Sequence, residues 1–404
     1  MRNSIRRLAS IVASATLCVA AIGTASAAEP FRIGVVYPKT GIFSQYGDFV
    51  EQGLGVAVKQ VNAAGGINGR KVELIFRDDA SNPGRTLLAA KELLSSQKID
   101  LLYPEIISGL VLSALPYTTE QKMITLSNGA TPQIGDASKF PYSFQLADVA
   151  TKRGPAMAAA VKALGGKRVG IPVSTNPPQV ALGDLLNADL PKKYGLEVAG
   201  YQKFASDAKD LSPQLQALRD AGAVIIPFSA TPRDNVRGVM SSPQTLGWKA
   251  KLITEPAALY GDLREQIPEP VQNQFYAINY RVGARTADTP AAVTRFISDL
   301  KAQGPITNLA IAALARDTIY LAKWAFETAQ KERGSTSAEA VREVLQTLGT
   351  RQYPADYGLT IGNPRYSAAD HTTGQADYSK FWALIRVSPF IDGTYDGEPL
   401  LVKE

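Results

Sequence analysis

Cysteine is almost missing from this 404-residue chain: Cys18 is the only one, and histidine is as scarce, with His371 alone. One thiol cannot pair within the chain, and one imidazole cannot build a multi-histidine zinc centre or a facial triad. His371 sits in a polar stretch, 368–374, and is expected as an exposed loop residue. No Gly-x-Ser-x-Gly elbow occurs. Gly65-Gly66-Ile67-Asn68-Gly69 follows a helical pattern and precedes a strand pattern, the reverse of the order a dinucleotide loop requires. Gly165-Gly166-Lys167 lacks the upstream glycine and downstream hydroxyl of a phosphate loop. Asp78-Asp79 are neighbours on a strand end and point to opposite sides, so one is read as forming a turn and the other as exposed. With no clustered acid and base, no catalytic residue, cofactor or metal is expected, and the chain is read as a non-enzyme. An excess of one charge is lacking too: 43 Lys and Arg face 37 Asp and Glu, scattered along the chain, which excludes a nucleic-acid footprint.

What is present begins with Arg2, Arg6 and Arg7 ahead of an apolar run over 8–23, closed by Ala25-Ser26-Ala27-Ala28. The run is shorter than the roughly 20 residues of a spanning helix, and small residues follow it, so residues 1–28 are expected to be a cleaved signal peptide and the mature protein to be periplasmic. Cys18 follows Leu17 rather than standing in a lipid-anchor setting and leaves with that segment. The full chain is 45 % hydrophobic, enough for two cores, and since single cores stop growing near about 250–300 residues, two lobes are expected.

Short apolar runs rich in β-branched residues at 31–37, 72–76, 99–102 and 123–126 alternate with helical patterns. Val50, Leu54, Ala57, Val58 and Val61 share one helical face, and Gly65-Gly66 ends that helix. Asn82 followed by Pro83 opens the next. The pattern restarts with strands at 169–173, 197–204, 224–228 and 252–254, and then three helices follow at 290–303, 308–331 and 338–348 before a last strand at 381–387. The fold class predicted is α/β: two doubly wound lobes, each a parallel sheet covered by helices on both faces. The chain is expected to cross between lobes near 145–149, 279–283 and 353–362, a three-segment hinge. That places 29–146 plus 281–352 in lobe 1 and 147–280 plus 353–404 in lobe 2. Loops at the strand carboxyl ends, rich in small hydroxyl residues and aromatics, suit binding rather than chemistry, and helix starts beside them offer N–H groups to a carboxylate.

The opening Ile33-Gly34-Val35-Val36-Tyr37-Pro38-Lys39-Thr40-Gly41 with Gln45-Tyr46-Gly47, the helix ending Val61-Asn62-Ala63-Ala64-Gly65-Gly66-Ile67-Asn68-Gly69, and Asp78-Asp79-Ala80-Ser81-Asn82-Pro83 resemble the type I periplasmic binding proteins of branched-chain amino acid transport. The resemblance runs over the whole mature chain, most specifically in its first half. It implies an extracytoplasmic solute-binding protein, monomeric, that carries a small carboxylate-bearing solute to the permease subunits of an ABC transporter. The alternative it leaves is a periplasmic sensor domain of the same fold feeding a signalling partner. It also implies that Ser108 and Gly129, Ala130 and Thr131 hold the carboxylate, flanked by Tyr46, and that Glu255 holds an α-ammonium. The family's usual Tyr-Gly after the second lobe's first strand is replaced by Asn176-Pro177-Pro178-Gln179. With that change Phe228 and Tyr260 are expected to line room for a larger or more apolar acid, so amino acids, aromatic acids and amides all stay open.

Overall fold

The computed structural model describes residues 28–149, 152–229, 233–259, 261–286, 289–354, 357–358, 364–373, 381–386, 389–400 and 402. The expected signal segment lies outside these but for its last residue, and so does Tyr260.

Strand β1 (Phe31–Tyr37) is buried on both faces along nearly its whole length, as an inner strand of a parallel sheet must be. β2 (Val72–Asp78) and β3 (Leu101–Tyr103) pair with it in parallel on either side, and β4 (Thr125–Ser127) and β5 (Ser143–Gln145) complete a sheet of order β2-β1-β3-β4-β5. The period of two decides what each face meets. Ile33 and Val35 join a core with Leu54 and Ala57 of α1 (Ser44–Ala63). Val36 points the other way, to Ala90 and Leu93 of α2 (Pro83–Ser96) and Ala114 of α3 (Ser108–Glu120). The punctuation read from the sequence holds. Asn82 Oδ1 accepts Arg85 N–H at 3.1 Å with Pro83 as the first helical residue. Gly66, at φ +82°, turns so tightly that a Cβ there would lie 1.9 Å from Arg70 O.

The second sheet is built from β6 (Arg168–Ser174), β7 (Glu197–Phe204), β8 (Ile225–Pro227), β9 (Lys251–Thr254), β10 (Phe275–Tyr280), β11 (Ala284–Arg285), β12 (Trp382–Arg386) and β13 (Tyr395–Pro399), in the order β11-β13-β12-β10-β9-β8-β6-β7. Among them run α4 (Arg153–Ala163), α5 (Pro177–Tyr194), α6 (Ser212–Asp220) and α7 (Arg233–Thr245). β6 to β10 pair in parallel, but β12 runs antiparallel to both β10 and β13. This sheet is therefore mixed, not parallel throughout, because β12 and β13 follow one another with no crossover helix between them. After β11 come α8 (Ala291–Lys301), α9 (Leu309–Arg333) and α10 (Ala338–Gln346). α9 lies along α1, with Phe326 edge-on to Phe31 at 4.8 Å, so these late helices cover the first sheet.

The lobe boundaries differ from those read in the sequence. β11, in a stretch expected with lobe 1, pairs with β13 of the second sheet. The stretch 364–373, expected with lobe 2, is fastened to β5: Tyr366 Oη donates to Gln145 O at 3.0 Å and Gln145 N–H donates to His371 O at 3.0 Å. His371 is buried, not exposed. Its ring stacks on Phe144 at 4.0 Å, Nδ1 meets Ser143 O at 2.9 Å and Nε2 meets Gln346 Nε2 at 3.0 Å. The polar composition that suggested an exposed loop belongs to a strap anchored by the rings of Tyr366 and His371, and most of the crossing expected at 353–362 lies outside the described residues.

Candidate functional site

In open α/β sheets a ligand finds room beyond the strand carboxyl ends, where chain reversals leave a crevice. Here the loops after β1, β3 and β4 face those after β6, β8 and β9 across one cavity with about 660 Å³ of empty space, open to solvent.

From the first sheet come Tyr46 on α1, Ile106 to Gly109 after β3, and Asn128 and Ala130 after β4. Ser108 is the first residue of α3. Its Oγ accepts Ala130 N–H at 2.9 Å and Thr131 N–H at 3.2 Å, leaving the hydroxyl proton for an acceptor in the cavity. Leu110 and Val111 N–H both bond Ile107 O, so the helix-start N–H groups left over are those of Ser108 and Gly109. Apart from its chain neighbours and the helix's own backbone, no atom lies within 4 Å of where a Gly109 Cβ would sit, so that edge of the helix is open. A hydroxyl donor and two N–H groups thus converge at the positive end of a 13-residue helix, a donor set with the polarity that suits an anion. The preceding N–H groups, of Ile106 and Ile107, are already taken by the carboxyl of Glu105. Burial, then the charge of Asp79, pushes that carboxyl well above its ordinary range.

From the second sheet come Asn176 to Gln179, Ser229, Pro256, Ala257 and Tyr280, with Arg153 of α4. Arg153 is the centre of a buried cluster. Its Nε and Nη2 donate to Asp148 at 2.8 and 3.0 Å, and its Nη1 donates to Glu255. Tyr280 Oη donates to Asp148, and Ser229 Oγ donates to Glu255 Oε1 at 2.6 Å. Burial alone would lower the guanidinium's pKa, but the charges of Asp148 and then Glu255 overcome it and hold it above the ordinary value. Two carboxylates against one guanidinium give the buried cluster a formal charge of −1, and its members that line the cavity are Arg153, Tyr280 and Ser229.

Of the residues expected from the sequence, Tyr46, Ser108, Ala130 and Asn176 line the cavity. Gly129 and Thr131 stand behind them: Gly129 O accepts Gln145 Nε2 at 2.6 Å, and Thr131 N–H holds Ser108. Glu255 is wholly buried, and both its oxygens are engaged, one by Arg153 and one by Ser229, so it does not stand open to an ammonium as the sequence suggested. Phe228 is not a cavity wall. It packs edge-on to Phe275 at 6.3 Å in the core, one residue beyond the end of β8. Tyr260 lies outside the described residues. Arg153, Tyr280 and Gln179 were not singled out as site residues. Arg153 follows one hinge stretch and Tyr280 lies within another, and they meet Glu255 and Asp148 only through the fold; Gln179 closes the Asn176-Pro177-Pro178-Gln179 departure noted above.

Two doubly wound α/β units with a cleft lined from both are the architecture of a two-lobed solute-binding protein. A family model described as periplasmic binding protein matches residues 30–386, and the chain belongs to that family. Over 217 residues it is 29 % identical to Leu/Ile/Val-binding protein homolog 3 of Brucella melitensis, covering 53 % of this chain and 58 % of that one. Over 232 residues it is 22 % identical to the leucine-, isoleucine-, valine-, threonine-, and alanine-binding protein of Pseudomonas aeruginosa, covering 56 % and 61 %. These matches span less than two thirds of either relative. In fold it is similar to the leucine-binding protein LivK of Thermotoga maritima, with a TM-score of 0.75, 21 % identity and coverage of 92 % of this chain and 98 % of that one. LivJ of Streptococcus pneumoniae in complex with isoleucine gives 0.74 at 18 % identity, covering 92 % and 99 %. A Rhodopseudomonas palustris ABC-transporter solute-binding protein in complex with 3,4-dihydroxybenzoic acid gives 0.74 at 17 %, covering 93 % and 98 %. The likeness to solved structures is one of fold.

Proposed function

We propose that this protein captures a small carboxylate-bearing solute, an amino acid or an aromatic acid, between two lobes in the periplasm and delivers it to an ABC importer. The lobes close over it about a three-segment hinge, and no chemistry is performed. The observation that carries the reading is the pairing of unlike ends across one cavity. On one side are the Ser108 hydroxyl and the open start of α3; on the other is a buried cluster of formal charge −1. A carboxylate fits the first, and the net negative charge behind the second favours a positive group through its field and not through an open carboxylate, so an α-amino acid and an aromatic acid both fit the reading. Apolar walls from Ile107, Pro178, Ile311 and Leu314 suit a compact organic body between them.

Binding confined to the native state raises stability by about 4 kcal/mol at a thousand times Kd, so a thermal-shift screen of ligand-stripped mature protein against amino acids, aromatic acids, amides and sugars tests the reading. Carboxylates should raise Tm and their methyl esters should not. Equal stabilisation by a carboxylate and its ester, or stabilisation by sugars alone, would defeat it.

A further inference from the structure

We infer that Gln179 selects the ligand: its side-chain amide receives a neutral hydrogen-bonding group, a carboxamide or a hydroxyl, carried on the end of the solute away from its carboxylate. This rests on the carboxylate reading above.

Gln179 is 5 % exposed and lines the cavity, and its Oε1 has no hydrogen-bond partner. A buried acceptor left empty is costly in a folded protein, and nearly all such atoms are satisfied by protein, water or ligand. The amide also carries two N–H donors, so it complements a group with both polarities.

The surrounding helix start narrows the class. Pro177 and Pro178 open α5, and neither has an N–H. Val180 N–H is spent on Asn176 O. The first turn of α5 therefore keeps only the main-chain N–H of Gln179, where the start of α3 offers two N–H groups and a hydroxyl. A second carboxylate would find no comparable seat. The one cationic side chain among the described lining residues, Arg153, is already held by Asp148 and Glu255. A purely hydrocarbon end would fit the prolines but leave Gln179 unmet. A neutral polar end satisfies both.

Two matched series test this by titration calorimetry on the ligand-stripped mature protein: glutamine, norleucine and glutamate, and 4-hydroxybenzoate, benzoate and terephthalate. In whichever series binds, the neutral polar member should bind about ten-fold tighter than the hydrocarbon and the dicarboxylate members. In Gln179→Met its advantage over the hydrocarbon member should fall below about two-fold, while the hydrocarbon's own affinity is kept. Wild-type protein that binds the hydrocarbon member as tightly overturns the inference and needs no variant. So does Gln179→Met protein that keeps the ten-fold preference. Binding by no member of either series removes the carboxylate reading, and this inference with it; equal binding within a series removes the inference alone.

Discussion

At the scale of single residues the decisive group is Arg153, buried between Asp148 and Glu255. Ion pairs taken out of water are poor evidence of net stability, but breaking one from one side leaves a charge with neither water nor partner. Arg153→Met should therefore lower unfolding stability by about 3–5 kcal/mol in urea titration. Arg153→Met with Glu255→Gln should recover part of that, since one stranded charge is gone. A double variant no more stable than the single would show that the loss is one of packing. The residue scale is also where the sequence is least legible. Glu255 stands out as an acid beyond a strand end, but its engagement by Arg153, 102 positions earlier, is a product of the fold. Phe228 at a strand end reads equally well as cleft wall or core, and only the fold decides for the core. Ser108 and Tyr46 were picked out through the family resemblance and not from their local order, and both line the cavity.

Elements were more legible, because apolar period and punctuation act locally. The start of α2, marked by proline, and the glycine ending of α1 lie within a residue or two of where the sequence sets them. β5, β11 and β13 were missed: two or three residues of β11 and β5 carry no readable period, and β13 is Tyr-Asp-Gly-Glu-Pro, largely solvent-facing. One cap couples an element to its surroundings. Asn308 Oδ1 accepts Ile311 N–H at 3.0 Å at the start of α9, and its Nδ2 donates to Pro256 O at 3.2 Å and to Leu259 O. Asn308→Ala removes the cap and strands those carbonyls, so a loss of about 2 kcal/mol is expected in urea unfolding; a loss of a few tenths would mean that water replaces the side chain. The strap that carries His371 gives a pH signature. Burial lowers its pKa from 6.5 to about 4, so the folded protein binds the proton less readily than the unfolded chain. Its contribution is complete above about pH 6.5 and is lost as pH falls toward 4, by about 2–3 kcal/mol. Stability measured at pH 7 and 4.5 should fall less in His371→Gln than in the parent protein; parallel falls would place the acid sensitivity elsewhere.

For the whole molecule the account is one of two α/β bodies meeting over a cleft. Where each body begins was legible only in outline, because the chain leaves and rejoins each sheet through segments whose composition does not say which face they cover. Contact across the cleft is already made. Tyr46 Oη, on α1 of the first lobe, donates to Ala257 O of the second at 2.6 Å, and Gly261 N–H donates to Thr307 O at 2.6 Å. A neutral hydrogen bond of this kind is worth about 1 kcal/mol. Tyr46→Phe should thus shift the unliganded lobes toward opening, with a larger radius of gyration in solution scattering and an affinity about five-fold weaker. Unchanged scattering and affinity would show that the bond does not hold the lobes together.

The central claim is that one solute is gripped from both sides at once. The most direct measurement is a crystal structure of the protein loaded with the carboxylate that stabilises it most. The account predicts the carboxylate at Ser108 and the start of α3, with the other end against the Arg153 cluster and Gln179. A ligand seated on one lobe only, or one whose carboxylate points away from Ser108, would contradict it.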